Sequence, residues 1–315
     1  MKTKKTKAVI PQGKKKRIDV DALRLYSLCE IPLLLLLVFN YLPMGGIIIA
    51  FKDYKFNLGI FGSEWIGLRN FEYFVTSNDF TRVAFNTIYM NLLFIVIGTF
   101  ASIVLAILLY DLTSRKWTKT FQTILITPTF VSWVVAAFMV YGLLNPSYGI
   151  VNGLLNSMGL EGVDWYSKPQ YWPAILVVAS IWKHVGMDSI LYYAFLMGLD
   201  ESMFEAAEID GASKLQRNIY IIFPSLIRLL TILVVMKIGN IFRADFGLFY
   251  QLPRNVGALY KTTDVMDTYI YRLMRGIGDM GMSTAVGLLQ SVVGFVIVMI
   301  TNKAVKKIDP YGGLF

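Results

Sequence analysis

The sequence predicts an all-α fold, a polytopic membrane protein with six transmembrane helices and a cytoplasmic helix–bend–helix loop. Hydrophobic residues make up 56% of the 315 positions and charged residues only 16%. The mean hydropathy is +0.55, far more apolar than a water-soluble domain of this length. Six segments reach the roughly 20 apolar residues that a helix needs to cross a bilayer. The net charge of +9 is gathered in short segments flanking those spans, a topology signal rather than a nucleic-acid footprint.

Taken in order, residues 1–24 form a basic tail too polar to fold alone, read as cytoplasmic. Spans are predicted over residues 25–49, 83–110, 121–144, 172–198, 226–247 and 281–300, within a six-helix domain covering 25–304; residues 305–315 form a cytoplasmic carboxyl tail. The first span is too long for the apolar region of a signal peptide, and "NYLPMGGIIIAF" offers no convincing small-residue cleavage site, so it reads as a retained helix. Lys14, Lys15, Lys16 and Arg17 put the amino end inside; alternation then places Arg115, Lys116, Lys119, the segment around residue 210, and Lys303, Lys306 and Lys307 inside as well. Outside remain residues 52–82, 243–280 and the connection "NPSYGIVNGLLNSMGLEGVDWYSKPQ". "GIFGSEWIGLRNFEYFV" and "TTDVMDTYIYRLMRGIGDM" have apolar residues at the spacing of interfacial helices that lie on headgroups or meet a soluble partner.

The stretch "EAAEIDGASKLQRNIYIIFPSL" is unusually charged for its surroundings. Ser202 and Glu205 have capping-box spacing, Asp210-Gly211 is a turn pair, and Ser213 and Gln216 offer a second box, so the loop over 199–224 reads as helix, bend, helix. Pro224 is expected at the start of the fifth span, where its missing amide costs little. Ala206, Ala207, Gly211 and Ala212 leave the bend almost without side-chain bulk, and Glu205, Glu208 and Asp210 ring it with negative charge.

Glu205-Ala206-Ala207, then Asp210-Gly211-Ala212, then Pro224 thirteen places after the glycine, resembles the cytoplasmic EAA loop of permease subunits of bacterial ABC importers. "IWKHVGMDSILYYAFLMGLDESMFEAAEIDGA" and "FRADFGLFYQLP" are similar to the oligosaccharide and polysaccharide branch of the maltose-type carbohydrate permeases, and the resemblance covers nearly the whole chain. Asn218 departs from it, standing where the family usually has an aromatic residue. The resemblance implies that the loop inserts into a cleft on a cytoplasmic ABC ATPase dimer. It also implies a second homologous permease subunit, an extracellular or periplasmic sugar-binding protein, and a bacterial cytoplasmic membrane location. No cofactor belongs to this chain; ATP and Mg would be bound by the partner ATPase subunits. Consistent with this, the sequence has no G-x-x-x-x-G-K-[ST] loop. One histidine, one cysteine and no Cys-x-x-Cys leave no common metal site, and no catalytic set is apparent.

Ionisable and polar groups inside membrane helices mark a pathway or a buried pair. The resemblance places sugar contacts at Lys183, His184 and Met187 and at or beside Asn240. By chemistry, Trp182, Tyr192 and Asn240 suit a sugar, offering ring faces and an amide, although Trp182 and Tyr192 suit helix packing equally and His184 suits it better. At 1.5 Å rise per residue, Lys183 and Lys237 fall at similar depth, so Asp188 is expected to pair with Lys237 and Lys183 to face the path beside Trp182. Asn86 and Asn91 fit helix–helix contacts better than the path. A secondary transporter would need repeats, broken helices or a relay of membrane carboxylates, of which only Glu30 and Asp188 stand in spans; a membrane-embedded enzyme would need a catalytic set.

Overall fold

In lipid every backbone amide and carbonyl needs a partner within the protein, and helices provide one locally. The computed structural model describes residues 20–308, which are helical apart from turns and one antiparallel ribbon pairing Lys52–Asp53 with Glu64–Trp65. Four helices are long and apolar enough to span a bilayer: Tyr26–Phe51, Asn78–Tyr110, Pro169–Leu196 and Met280–Lys307. Two more spans are bent pairs, Arg115–Phe130 with Trp133–Leu144 at 96°, and Lys214–Ile227 with Leu229–Gly239 at 52°. Counting each pair once gives six spans, numbered here in chain order. Residues up to Ile48 form one contact unit, and the packing described below belongs to the unit that starts at Ile49.

The third span was expected to be unbroken and is not. Pro128 sits in a tight turn over Thr127–Phe130, Val131 is extended, and Ser132 caps a new helix by accepting the Val135 amide at 3.3 Å. A break of this kind frees carbonyls that lipid cannot satisfy. Lys183 of the fourth span supplies the missing donors, its Nζ reaching the carbonyl of Thr129 at 3.0 Å and also that of Val131. The Thr129 hydroxyl donates back to the Lys183 carbonyl at 2.8 Å, and Nζ lies 5.2 Å from the centre of the Trp133 ring. One turn further along, the two spans touch backbone to backbone: a Cβ on Gly186 would stand 1.9 Å from the Leu125 carbonyl oxygen.

The second span is the spine. Val83 enters a cluster with Phe74, Met266, Tyr269, Met282 and Val286; Met90 enters one with Trp172, Leu176, Leu248, Leu252 and Leu259; Ile103 and Ala106 enter one with Tyr192, Leu196, Ile222 and Leu226. The helix Met266–Arg272 buries its apolar side chains in the protein core, where its amphipathic pattern had left headgroups or a soluble partner as the expected neighbours. Electrostatics hold it there. Buried Asp264 accepts from Arg82 at 3.0 Å and from both terminal nitrogens of Arg272 at 3.0 and 2.6 Å. Asn86 donates to the carbonyls of Lys261 and Asp264, and Thr87 accepts the Met266 amide, which confirms the helix-joining role for Asn86.

Lys183→Met should leave the two carbonyls at the break without donors, and a buried acceptor left unmet costs about 1–3 kcal/mol. Its melting temperature in detergent should fall below that of the parent, and Thr129→Val, which removes only the reverse hydroxyl bond, should lower it less. An unchanged melting temperature in Lys183→Met would show that the break needs no cap.

Candidate functional site

Two places combine exposure with polar chemistry: the loop around residue 211 and a cavity between spans. In the loop, a helix runs over Glu201–Ile209. Its N-cap is Asp200, which accepts the Ser202 amide at 3.0 Å, not Ser202 as expected; the acid stands earlier, in an extended conformation, at the positive end of the helix dipole. That backbone hydrogen bond holds the Asp200 carboxyl below its usual value. The helix stops in a Schellman motif: the Gly211 amide donates to the Glu208 carbonyl at 3.0 Å and the Ala212 amide to the Ala207 carbonyl at 2.9 Å. Gly211 takes φ +73°, and nothing in the described chain lies within 4 Å of where its Cβ would be.

The second helix, Lys214–Arg217, opens with the expected capping box between Ser213 and Gln216. It continues into the fifth span, so Pro224 lies inside a helix rather than at its start, just after the π-helical turn Asn218–Ile222, whose wider coil eases the proline ring past the preceding carbonyls. Glu205, Ala206, Glu208, Asp210, Gly211 and Ala212 are exposed and Ala207 is half-buried. Ile209 is 87% exposed and Leu215 69%, so the bend also shows apolar surface. An ion pair between Arg217 and Asp111, the residue that ends the second span, ties the loop down, and the Phe204 ring lies 5.9 Å from the Arg217 guanidinium and 5.8 Å from the Tyr110 ring. Asp111 went unnoticed in the sequence, although an acid directly after an apolar run and before a basic cluster marks a place for a partner cation.

A cavity of about 470 Å³ opens between the second, fourth and fifth spans, lined among others by Asn91, Ser180, His184, Asp188, Lys237, Asn240 and Arg243. The expected pair is present: Lys237 Nζ donates to Asp188 Oδ2 at 2.8 Å. Asn91 donates to the carbonyls of Ile241 (2.9 Å) and Arg243 (3.0 Å) where the fifth span ends, earlier than predicted, and Asn240 donates to the Met236 carbonyl. Beyond the cavity His184 Nε2 stands 3.8 Å from Asp245 Oδ2, which accepts the Trp133 indole N–H at 2.7 Å. Burial pushes the Asp245 carboxyl up, but the nearby His184 and hydrogen bonds from the Leu248 amide and Trp133 outweigh it and hold the group below its usual range. Burial dominates at Asp267 and raises it, against the Ala244 amide and Gln290.

The cavity brings together only His184, Asp188 and Asn240 of the expected path residues. Trp182 lines a second cavity of about 470 Å³ on another face of the fourth span, among Ala136, Val140, Leu144 and Val178. Lys183 is spent on the broken span, Met187 is exposed away from the polar cavity, and Tyr192 is buried with Leu196 and Ile222. The reason is azimuth. Ser180, His184 and Asp188 recur every four residues and share one stripe, whereas Trp182 and Lys183 point elsewhere.

Spans enclosing a polar cavity and an exposed, tethered bend define a membrane transport subunit. Residues 84–309 match the model of the binding-protein-dependent transport system inner membrane component, and the chain belongs to that family. It is 33% identical to protein LplB of Bacillus subtilis over 91% of this chain and 90% of that protein. It is 31% identical to the polygalacturonan/rhamnogalacturonan transport system permease protein YteP of the same organism, over 96% and 95%. A chain in the crystal structure of a bacterial ABC transporter involved in import of the acidic polysaccharide alginate superposes with a TM-score of 0.83 at 32% identity, covering 92% of this chain and 97% of that one. A second structure holds the alginate transporter in complex with an alginate pentasaccharide-bound periplasmic protein, with a TM-score of 0.82. The chain is a multi-pass permease subunit of an ABC importer.

The Lys237–Asp188 pair is open to a double-mutant cycle. Both side chains are 34% exposed, so each single change, Asp188→Asn or Lys237→Met, should cost about 1–3 kcal/mol, below the 3–5 typical of a fully buried pair. The double mutant should recover most of the folded protein, measured as monodisperse yield after detergent extraction. Losses that simply add would show that the two charges do not stabilise each other.

Proposed function

We propose that this permease forms, with a second homologous subunit, the alternating-access path for a sugar, an oligosaccharide, driven by a separate ATPase dimer that binds ATP and Mg and fed by an external sugar-binding protein. One observation carries the proposal: the second span holds both ends of the machine. Asn91 reaches the cavity from it and Asp111 anchors the loop at its end. A push on the loop therefore reaches the cavity through one packed helix. The sugar reading draws support from the relatives, which import or are named for polysaccharides, and from the cavity's amides and imidazole, groups that exchange hydrogen bonds with hydroxyls. Glu205, Ala206, Ala207, Glu208, Asp210, Gly211 and Ala212 make the ATPase contact in this proposal, with Pro224 in the helix that carries the loop into the fifth span. Both termini lie in the cytoplasm of a bacterial cell, the loop on the same side. Broken spans, which a secondary transporter would use, do occur here; family membership, not helix continuity, decides against that alternative.

Gly211→Asp tests the docking. Gly211 has open space around it in this chain, so the internal cost is limited to the strained φ, about 1 kcal/mol, and the protein should still insert and fold. Copurification of the ATPase and substrate-stimulated ATP hydrolysis should both be lost. Normal coupling in this variant would remove the loop from the ATPase interface.

Orientation has its own test. A cysteine at Ser213 should be shielded from an impermeant thiol reagent in intact cells and one at Ser157 should react, in a background with Cys29 replaced. Labelling of position 213 from outside would reverse the assignment.

A further inference from the structure

We propose that Arg243 recognises a carboxylate on the transported saccharide, making this a permease for acidic sugars. The proposal rests on the sugar-path reading above and adds the class of sugar. Four ionisable side chains line the polar cavity: His184, Asp188, Lys237 and Arg243. Lys237 and Asp188 neutralise each other at 2.8 Å. His184 faces Asp245 at 3.8 Å, and that carboxylate already accepts the Trp133 indole at 2.7 Å and the Leu248 amide at 3.2 Å. Arg243 is the cation left over.

Its side chain is exposed and makes no hydrogen bond and no ion pair within 4.0 Å among the described residues. Asp267 is the acid whose charge it feels, but that carboxylate accepts the Ala244 amide at 2.7 Å and the Gln290 side chain at 3.1 Å. Four other arginines have partners: Arg82 and Arg272 close on Asp264, Arg217 on Asp111, and Arg254 lies 4.1 Å from the Tyr141 ring centre. The backbone of Arg243 is meanwhile fixed, its amide donating to the Asn240 carbonyl at 2.9 Å and its carbonyl accepting from Asn91 at 3.0 Å. The residue also borders a smaller cavity of about 220 Å³ with Asn240, Gln290 and Ser291.

A guanidinium whose backbone is fixed and whose fork makes no hydrogen bond within the described residues is available to an anion entering the cavity. Its planar fork matches a carboxylate with two parallel hydrogen bonds. A neutral sugar offers that fork only single hydrogen bonds to hydroxyl oxygens, without the charge-assisted pair, so the residue favours the acid over it. His184 and Asn240, which line the same cavity, have the chemistry to exchange hydrogen bonds with sugar hydroxyls.

The test uses the whole importer, with its partner permease, ATPase and binding protein, in proteoliposomes. Substrate-stimulated ATP hydrolysis is compared for trigalacturonate and trimannuronate, each against its fully methyl-esterified form, and for a neutral trisaccharide. At least one acid should be preferred over its ester, and Arg243→Gln should reduce that preference at least about tenfold, equivalent to about 1.4 kcal/mol. Arg243→Lys should retain part of it, and the amount of assembled complex should not change. Because the binding protein is the same throughout, its own selectivity cancels in the comparison of variants. An unchanged acid-to-ester ratio in Arg243→Gln overturns the proposal. Stimulation by the neutral trisaccharide or the esters, without the acids, also overturns it while leaving the sugar path standing; stimulation by no sugar overturns both.

Discussion

Backbone groups released where a membrane helix stops have to be met by side chains, and that requirement organises this permease. The clearest case is the turn after the fifth span. Asn91 of the second span donates to the carbonyls of Ile241 and Arg243, Gln290 of the sixth span donates to that of Phe242 at 2.6 Å, and Asp267 accepts the Ala244 amide. Four consecutive residues are held by three separate elements. Lys183 does the same for the third span, and Asn86 and Thr87 for the segment over 261–266. The irregular backbone beside the cavity exists because polar side chains from neighbouring spans were available to satisfy it.

The same latches make the second span a mechanical reference. It contributes to three separate clusters along its length and ends at the loop's anchor. Close packing transmits displacement rather than absorbing it, so a helix gripped at three levels moves as one body. The cavity, open on one side of this helix, then changes shape with it.

Much of this was readable from residues alone, and the failures have a common cause. Apolar runs located the spans because length and composition are local properties. The Asp188–Lys237 pair was accessible for a related reason: two opposite charges stranded in adjacent apolar helices have few places to go, and helical rise puts them in reach. Trp182 and Tyr192 were considered for their chemistry without azimuth, and the structure places them outside the polar cavity, whereas the stripe of Ser180, His184 and Asp188 was visible at four-residue spacing. Lys183 was assigned to the path because Pro128, the local sign that the third span breaks, says nothing about which distant side chain supplies the donor. For Met266–Arg272 the amphipathic pattern correctly announced an apolar neighbour but not which one; Phe74 and the sixth span took the place of lipid. In the loop, the box at Ser213 formed as read, while Asp200 displaced Ser202 because a stronger cap stood two residues upstream.

The clamp at Lys183 also bears on how the protein is made. The third span emerges from the ribosome with a break whose carbonyls have no donor of their own; its donor lies more than fifty residues later, on the fourth span. Until that lysine is synthesised, the third span cannot rest in hydrocarbon in its final bent form. In its bent form the third span depends on the fourth for its donors, so the two spans form one unit of stability in the bilayer.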